Sequence, residues 1–183
     1  MLRMILGYGA VAGLIVGVPM VAMMSAMDGP PPMALGMAVG YATMLIALSA
    51  VFLAIKRRRD RDLGGVIRFW PAFGLGLAIS AVAGVVYVLA WELALATTGA
   101  DFAGAYIDAL VAEQRARGAS GEALARFEAD MARFRADYAN PLYRLPMTFT
   151  EIFPVGAIVS LVSAALLRNS RFMPQRRAAA VAG

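Results

Sequence analysis

Two carboxylates, Glu92 and Glu151, fall inside long apolar stretches of this 183-residue chain, and their placement is what most directly invites chemistry. An ionisable group at membrane depth is costly to hold there, so each is by default a functional hypothesis. Two carboxylates brought close share a proton. Oxygen ligands of this kind suit protons or hard cations rather than soft metals. Thr148 and Thr150 flank Glu151, Arg144 precedes them, and Pro154, lacking an N–H, frees the carbonyl of Thr150. Glu92, Glu151, Arg144, Thr148 and Thr150 therefore form the candidate ligand-binding set. A plainer reading pairs Glu151 with Arg144 or an interhelical hydroxyl and lets Glu92 reach headgroup water. A third gives Arg144 to an anionic lipid or substrate headgroup.

What the chain lacks narrows the chemistry further. It has no cysteine and no histidine, which removes thiol nucleophiles, disulfides, Cys/His zinc sites, haem axial histidines and His-based triads. Gly7-x-Gly9 follows no strand and sits in an apolar run, so it is not a dinucleotide fingerprint. No nucleophile–base arrangement or paired metal motif is present. The expectation is a non-enzymatic protein without catalytic residues, metal site or cofactor. The 12 methionines, Met23 and Met24 included, read as packing rather than soft-metal handling.

The elements that must position these residues follow from composition. Hydrophobic residues make up 61% of the chain and charged ones 16%, with a mean hydropathy of +0.69. A soluble domain is about 45–50% apolar and about 25% charged. Crossing a hydrocarbon core of about 30 Å takes about 20 helical residues. Four runs qualify, at 4–27, 33–55, 69–96 and, within 144–168, from Leu145 to Leu167. They lack polar/apolar alternation, so they predict helices rather than barrel strands. Counting about 20 residues outward from Arg168 puts the outer boundary near Thr148 and Glu151 roughly 5 Å inside it. Glu92 follows Trp91 at the same outer interface.

Basic residues orient the spans. Arg3 lies ahead of the first run, Lys56, Arg57, Arg58, Arg59, Arg61 and Arg68 lie between the second and third runs, and Arg168, Arg171, Arg176 and Arg177 follow the fourth. The positive-inside rule places all three groups in the cytoplasm, both termini included, and puts the Asp28–Pro32 turn and residues 97–143 outside. The net charge of +5 thus belongs to the membrane border and anionic headgroups, not to nucleic acid. The first run is too long for a typical signal-peptide core and reads as an uncleaved span. Phe69 and Trp70 at one end of the third run, with Tyr87 and Trp91 at the other, read as interface belts.

Small residues recur every four positions: Gly9, Gly13 and Gly17 on the first run, Gly36 and Gly40 on the second, Ser80 and Gly84 on the third. Such stripes let backbones approach closely, and they predict that spans one, two and three pack together. Pro19 and Pro154 predict kinks. Between 97 and 143, Leu124, Phe127, Met131, Phe134 and Tyr138 keep helical spacing, and Phe102, Tyr106, Leu110, Ile107 and Val111 supply a matching stripe. Gly118-Ala119-Ser120-Gly121 separates the two, with Ser120 an N-cap candidate, and Asn140-Pro141 ends the pair. The insert therefore predicts an external, periplasmic helical hairpin.

With these residues in place, the chain resembles domain-of-unknown-function family 4199, uncharacterised four-span bacterial membrane proteins. The resemblance covers almost the whole chain. It rests on Gly40-Tyr41-Ala42-Thr43-Met44-Leu45-Ile46-Ala47, on Gly64-Gly65-Val66-Ile67 leading to Ala72-Phe73, and on Tyr87-Val88-Leu89-Ala90-Trp91-Glu92. Its most specific stretch is Met147-Thr148-Phe149-Thr150-Glu151-Ile152-Phe153-Pro154-Val155-Gly156, continuing to Ser160-Leu161-Val162-Ser163-Ala164. The resemblance implies four spans with a helical insert before the last, and carries no activity. The basic tail after Ser170 is less typical of it.

The sequence thus predicts an all-α integral membrane bundle of four transmembrane helices, with an extramembrane helical hairpin between the third and fourth spans and a basic cytoplasmic tail at 169–183. Its location is the bacterial inner membrane. Its partners are the lipid bilayer and either a membrane-protein partner or a second copy in a homo-oligomer. The first functional expectation is an accessory or scaffold subunit of a larger membrane assembly. The alternative is a small carrier or binder of a proton, cation or charged lipid through the outer-half carboxylates.

Overall fold

The computed structural model describes residues 1–26, 33–98 and 102–174. The proline turn at 28–32, Asp101, Arg176, Arg177 and the side chain of Phe102 lie outside the described residues. The order is α1 (Leu2–Ala26), α2 (Met33–Arg57), a π-helical turn (Arg58–Asp62), α3 (Phe69–Thr98), α4 (Phe102–Ala116), α5 (Gly121–Tyr138) and α6 (Pro141–Leu167), with no strand among the described residues. Four of these, α1, α2, α3 and α6, are long and apolar enough to cross a membrane. In hydrocarbon a helix satisfies its backbone internally, which is why uninterrupted apolar runs fold this way.

The ends of the helices follow local chemistry. α2 runs past Ile55 because Lys56 and Arg57 are good helix formers. The chain then turns at Gly64 and Gly65, whose φ values of 63° and 95° side-chain-bearing residues rarely adopt. α6 starts ahead of Leu145, since the Asn140 side chain accepts the Leu142 N–H at 3.0 Å and Pro141 fits the first turn. Ser120 does occupy the N-cap of α5, but its side chain makes no capping bond.

Helix α3 is the common neighbour of α1 and α6. It runs parallel to α1, with Gly9 against Val82, Gly13 against Val86 and Gly17 against Ala90. A Cβ added at Gly9 or Gly13 would stand 2.5 Å from the facing valine Cβ. Against the antiparallel α6 the fit is reciprocal: Gly76 receives Ser160, and Gly156 receives Ser80. The buried Ser160 hydroxyl donates to the Gly156 carbonyl at 2.6 Å and lies 3.3 Å from the Ser80 hydroxyl. Gly84 accommodates the ring of Phe149. The stripe containing Ser80 and Gly84 thus serves α6.

The Gly36 and Gly40 face does not make the close approach expected of the second run. A Cβ at Gly40 would meet no heavy atom within 4 Å, and both Gly36 and Gly40 line a cavity. The reason is that α2 touches α3 only narrowly and makes its main contacts with α1 and α6. Those contacts include the fully buried Ala47, Leu48, Val51, Ala54 and Ile55, all toward its C-terminal half. Along its first half α2 stands away from α3, and its described side chains up to Thr43 are exposed or half-buried.

Helices α4 and α5 lie against each other, with Arg115 Nη2 2.5 Å from Glu128 Oε1. Leu124, Phe127, Met131, Phe134 and Tyr138 are half-buried along α5. On α4 Gly104 and Ile107 are buried, while Tyr106 is exposed beside Ile107.

One basic residue behaves unlike its neighbours. Arg59 is fully buried. Its Nε lies 2.7 Å from Asp60 Oδ1, and Nη1 and Nη2 donate to the Phe172 and Met173 carbonyls at 2.9 and 2.7 Å. Asp60 is also held by Lys56 at 2.6 Å. This ties the end of α2 to the segment that follows α6.

Candidate functional site

Where α2 stands away, a cavity of about 460 Å³ opens, walled by α2, α3, α4, α5 and α6. Six aromatic residues face it: Tyr41, Tyr87, Trp91, Tyr106, Phe134 and Tyr138. Met37, Met44 and Met147 fill between them. Glu151 is the acidic residue among its described lining.

Tyr87 and Trp91 are one helical turn apart on α3, so both rings meet the same space. The buried Tyr87 donates its hydroxyl to Glu151 Oε2 at 3.0 Å. Oε1 of Glu151 has no hydrogen bond or ion pair among the described residues. Trp91 Nε1 donates to the Tyr138 hydroxyl at 2.7 Å, which fixes the end of α5 above the cavity. Burial pushes the Tyr138 phenol above its ordinary pKa, so it serves this contact as a neutral hydroxyl.

Glu92 belongs to a second network. Arg144 clamps it with Nε to Oε1 at 2.7 Å and Nη2 to Oε2 at 2.6 Å. Nη1 of the same guanidinium donates to the Tyr138 carbonyl at 3.1 Å, and its carbon lies 5.7 Å from the centre of the Tyr138 ring. Planar, bidentate pairing of this kind is what an arginine offers and a lysine does not.

The five residues singled out from the sequence therefore separate. Glu92 and Arg144 come together as an ion pair, outside the cavity lining. Glu151 takes a hydroxyl, and that hydroxyl is Tyr87, not Arg144. The two carboxylates do not share one polar pocket, because Trp91 and Tyr138 stand between their networks. Thr148 is buried. Thr150 donates to the Met147 carbonyl at 2.7 Å and faces an apolar groove with Val85, Leu89, Leu142 and Phe149. It is not part of the Glu151 cavity.

Tyr87, Trp91 and Tyr138 are site residues that the sequence reading placed elsewhere, as interface belt and hairpin seam. The available signal was the four-residue step from Tyr87 to Trp91, on the helix that also carries Glu92.

The family model described as a protein of unknown function, DUF4199, matches residues 7–169. The chain belongs to this family. The DUF4199 match takes in every lining residue of the cavity, both networks and Arg59, and stops short of Phe172 and Met173. No curated protein and no solved structure matches the chain.

Proposed function

We propose that this chain is a non-enzymatic multi-pass protein of the bacterial inner membrane that binds a cation in the cavity beneath α5, with Glu151 as the counter-charge. In this reading both termini are cytoplasmic and α4 with α5 forms a periplasmic hairpin. The basic residues support that orientation: Arg57 lies 3.5 Å from the Tyr8 hydroxyl near the start of α1, and Arg59 holds the segment after α6. One bundle end thus collects the positive charge, as a cytoplasmic face does.

The observation that carries the binding role is the division of charge. The cation near the site, Arg144, is committed to Glu92, while Glu151 keeps an oxygen open toward a mostly aromatic cavity. A carboxylate at that depth is costly unless something positive, a proton or a ligand, joins it. Reaction with a lipophilic carbodiimide, followed by intact mass and peptide mapping, tests this. The expected result is a single adduct on Glu151, absent in Glu151→Gln and suppressed by bound cation. Labelling that no cation affects would overturn the binding role.

A second reading, the accessory subunit, draws on the outer face of α5, where Arg126 and Arg133 side chains are 75% and 81% exposed. It expects a stoichiometric protein to co-purify from native membranes after gentle extraction, and to be lost when residues 102–138 are deleted.

A further inference from the structure

Resting on the cation reading of the same cavity, we propose that its ligand is a lipophilic organic monocation, a quaternary ammonium or protonated amine carrying bulky apolar arms. Three independent features of the cavity select this class.

The first is size. About 460 Å³ falls within the roughly 300–1,000 Å³ of small-molecule sites and is far more than the ~30 Å³ share of one water. A bare metal ion would leave most of it to be filled by water. The second is lining. A hard metal cation needs about six or more oxygen ligands, and the described residues hold no group of three His, Cys, Asp or Glu side chains able to bind a metal. Here instead are the faces and edges of Tyr87, Trp91, Tyr138, Tyr41 and Tyr106, with methionine between them. Aromatic faces attract a poorly hydrated cation, and aromatic cages are the recurring solution for quaternary ammonium groups. Thioether side chains adapt to apolar arms of varied shape.

The third is charge. A single carboxylate neutralises a single positive charge, and Tyr87 holds one of its oxygens in place. A ligand anion finds no counter-charge among the described lining residues, none of which is basic, and the nearby Arg144 is already paired with Glu92. A dication would carry an unpaired charge into an apolar space.

Route and selectivity follow from the same geometry. Tyr41 and Met37 on α2 are exposed, at 54% and 55%, on the wall that stands away from α3. A lipophilic cation partitions into the outer leaflet and enters sideways along α2, where Gly36 and Gly40 leave room.

The test uses the full-length protein in lipid nanodiscs. Trp70→Phe removes the tryptophan at the far end of α3, so that Trp91 alone reports the cavity. The probes are tetraphenylphosphonium, the neutral triphenylphosphine oxide, tetramethylammonium and sodium. The expected result is saturable quenching by tetraphenylphosphonium, at least tenfold weaker binding of the neutral probe, and no sodium competition. Glu151→Gln, which keeps an acceptor for Tyr87, is expected to weaken the cation at least tenfold and leave the neutral probe unchanged. Tyr41→Ala is expected to weaken the cation severalfold.

Equal binding of charged and neutral probes by the unmutated protein would overturn the proposal, without relying on any variant's folding. Protection of Glu151 from carbodiimide by sodium but not by tetraphenylphosphonium would also overturn it, leaving cation binding itself intact. If no probe protects Glu151, the proposal and the cation reading fall together.

Discussion

Arg144, at the start of α6, holds Glu92, near the end of α3, through two parallel charged hydrogen bonds of 2.7 and 2.6 Å. The same guanidinium reaches the Tyr138 carbonyl and covers the Tyr138 ring. One side chain therefore fixes how α3, α5 and α6 meet at the rim of the cavity.

Arg144→Lys is expected to lose the bidentate clamp and lower stability by about 1–3 kcal/mol, since charged hydrogen bonds in partly buried sites are worth that much. A double-mutant cycle with Glu92→Gln and Arg144→Met, read by thermal unfolding in detergent, checks it. Additive losses would show that the two side chains are not coupled.

Tyr138→Phe removes the acceptor for the Trp91 indole N–H while keeping the ring beneath Arg144. The expected cost is about 1 kcal/mol, spent locally on α5. Limited proteolysis is expected to cut within 121–138 faster than in the unmutated protein, with cleavage elsewhere unchanged.

Gly13→Ala sets two effects against each other. Alanine favours a helix over glycine by roughly 1 kcal/mol. The added Cβ, however, would stand 2.5 Å from Val86 Cβ and 2.9 Å from the Ala83 carbonyl oxygen, and backbone does not yield. Overpacking of this kind costs about 1–3 kcal/mol, so a lower Tm is expected. Gly7→Ala, with no atom within 4 Å, is expected to match or exceed the parent.

Arg59→Met leaves Asp60 with Lys56 as its remaining cation and strips the Phe172 and Met173 carbonyls of their donor. Breaking a buried ion pair by removing one partner costs about 3–5 kcal/mol. Arg57→Met, at an exposed position in the same run, is expected to change the melting temperature little. Parallel melts of the two variants compare them directly.

How much of this could be read beforehand depended on the range of the interaction. The long helices followed from hydropathy alone, because a backbone in lipid has few other options. Gly9, Gly13 and Gly17 announced a close face but not its partner, and the same four-residue spacing at Gly36 and Gly40 opens onto a cavity. Gly76 and Gly156 carry the same four-residue signal, with Ser80 and Ser160. Glu92 and Arg144 are both polar candidates by residue type, yet 52 positions separate them, and spacing cannot join such a pair. Tyr87 and Trp91 looked like interface aromatics because a membrane border and a ligand cage draw on the same residue types. Arg59 was one cation in a basic run, and its burial is set by carbonyls 113 and 114 positions away.

That last separation orders the chain's assembly in time. The guanidinium leaves the ribosome early, long before the Phe172 and Met173 oxygens that accept its donors exist. A nascent chain ending at residue 160 holds three complete apolar helices, but it carries an unfinished joint at the Arg59 end of the bundle. Completion of the bundle therefore waits for residues beyond the last helix. Truncations there are expected to yield inserted but loosely assembled protein, of the kind membrane proteases remove.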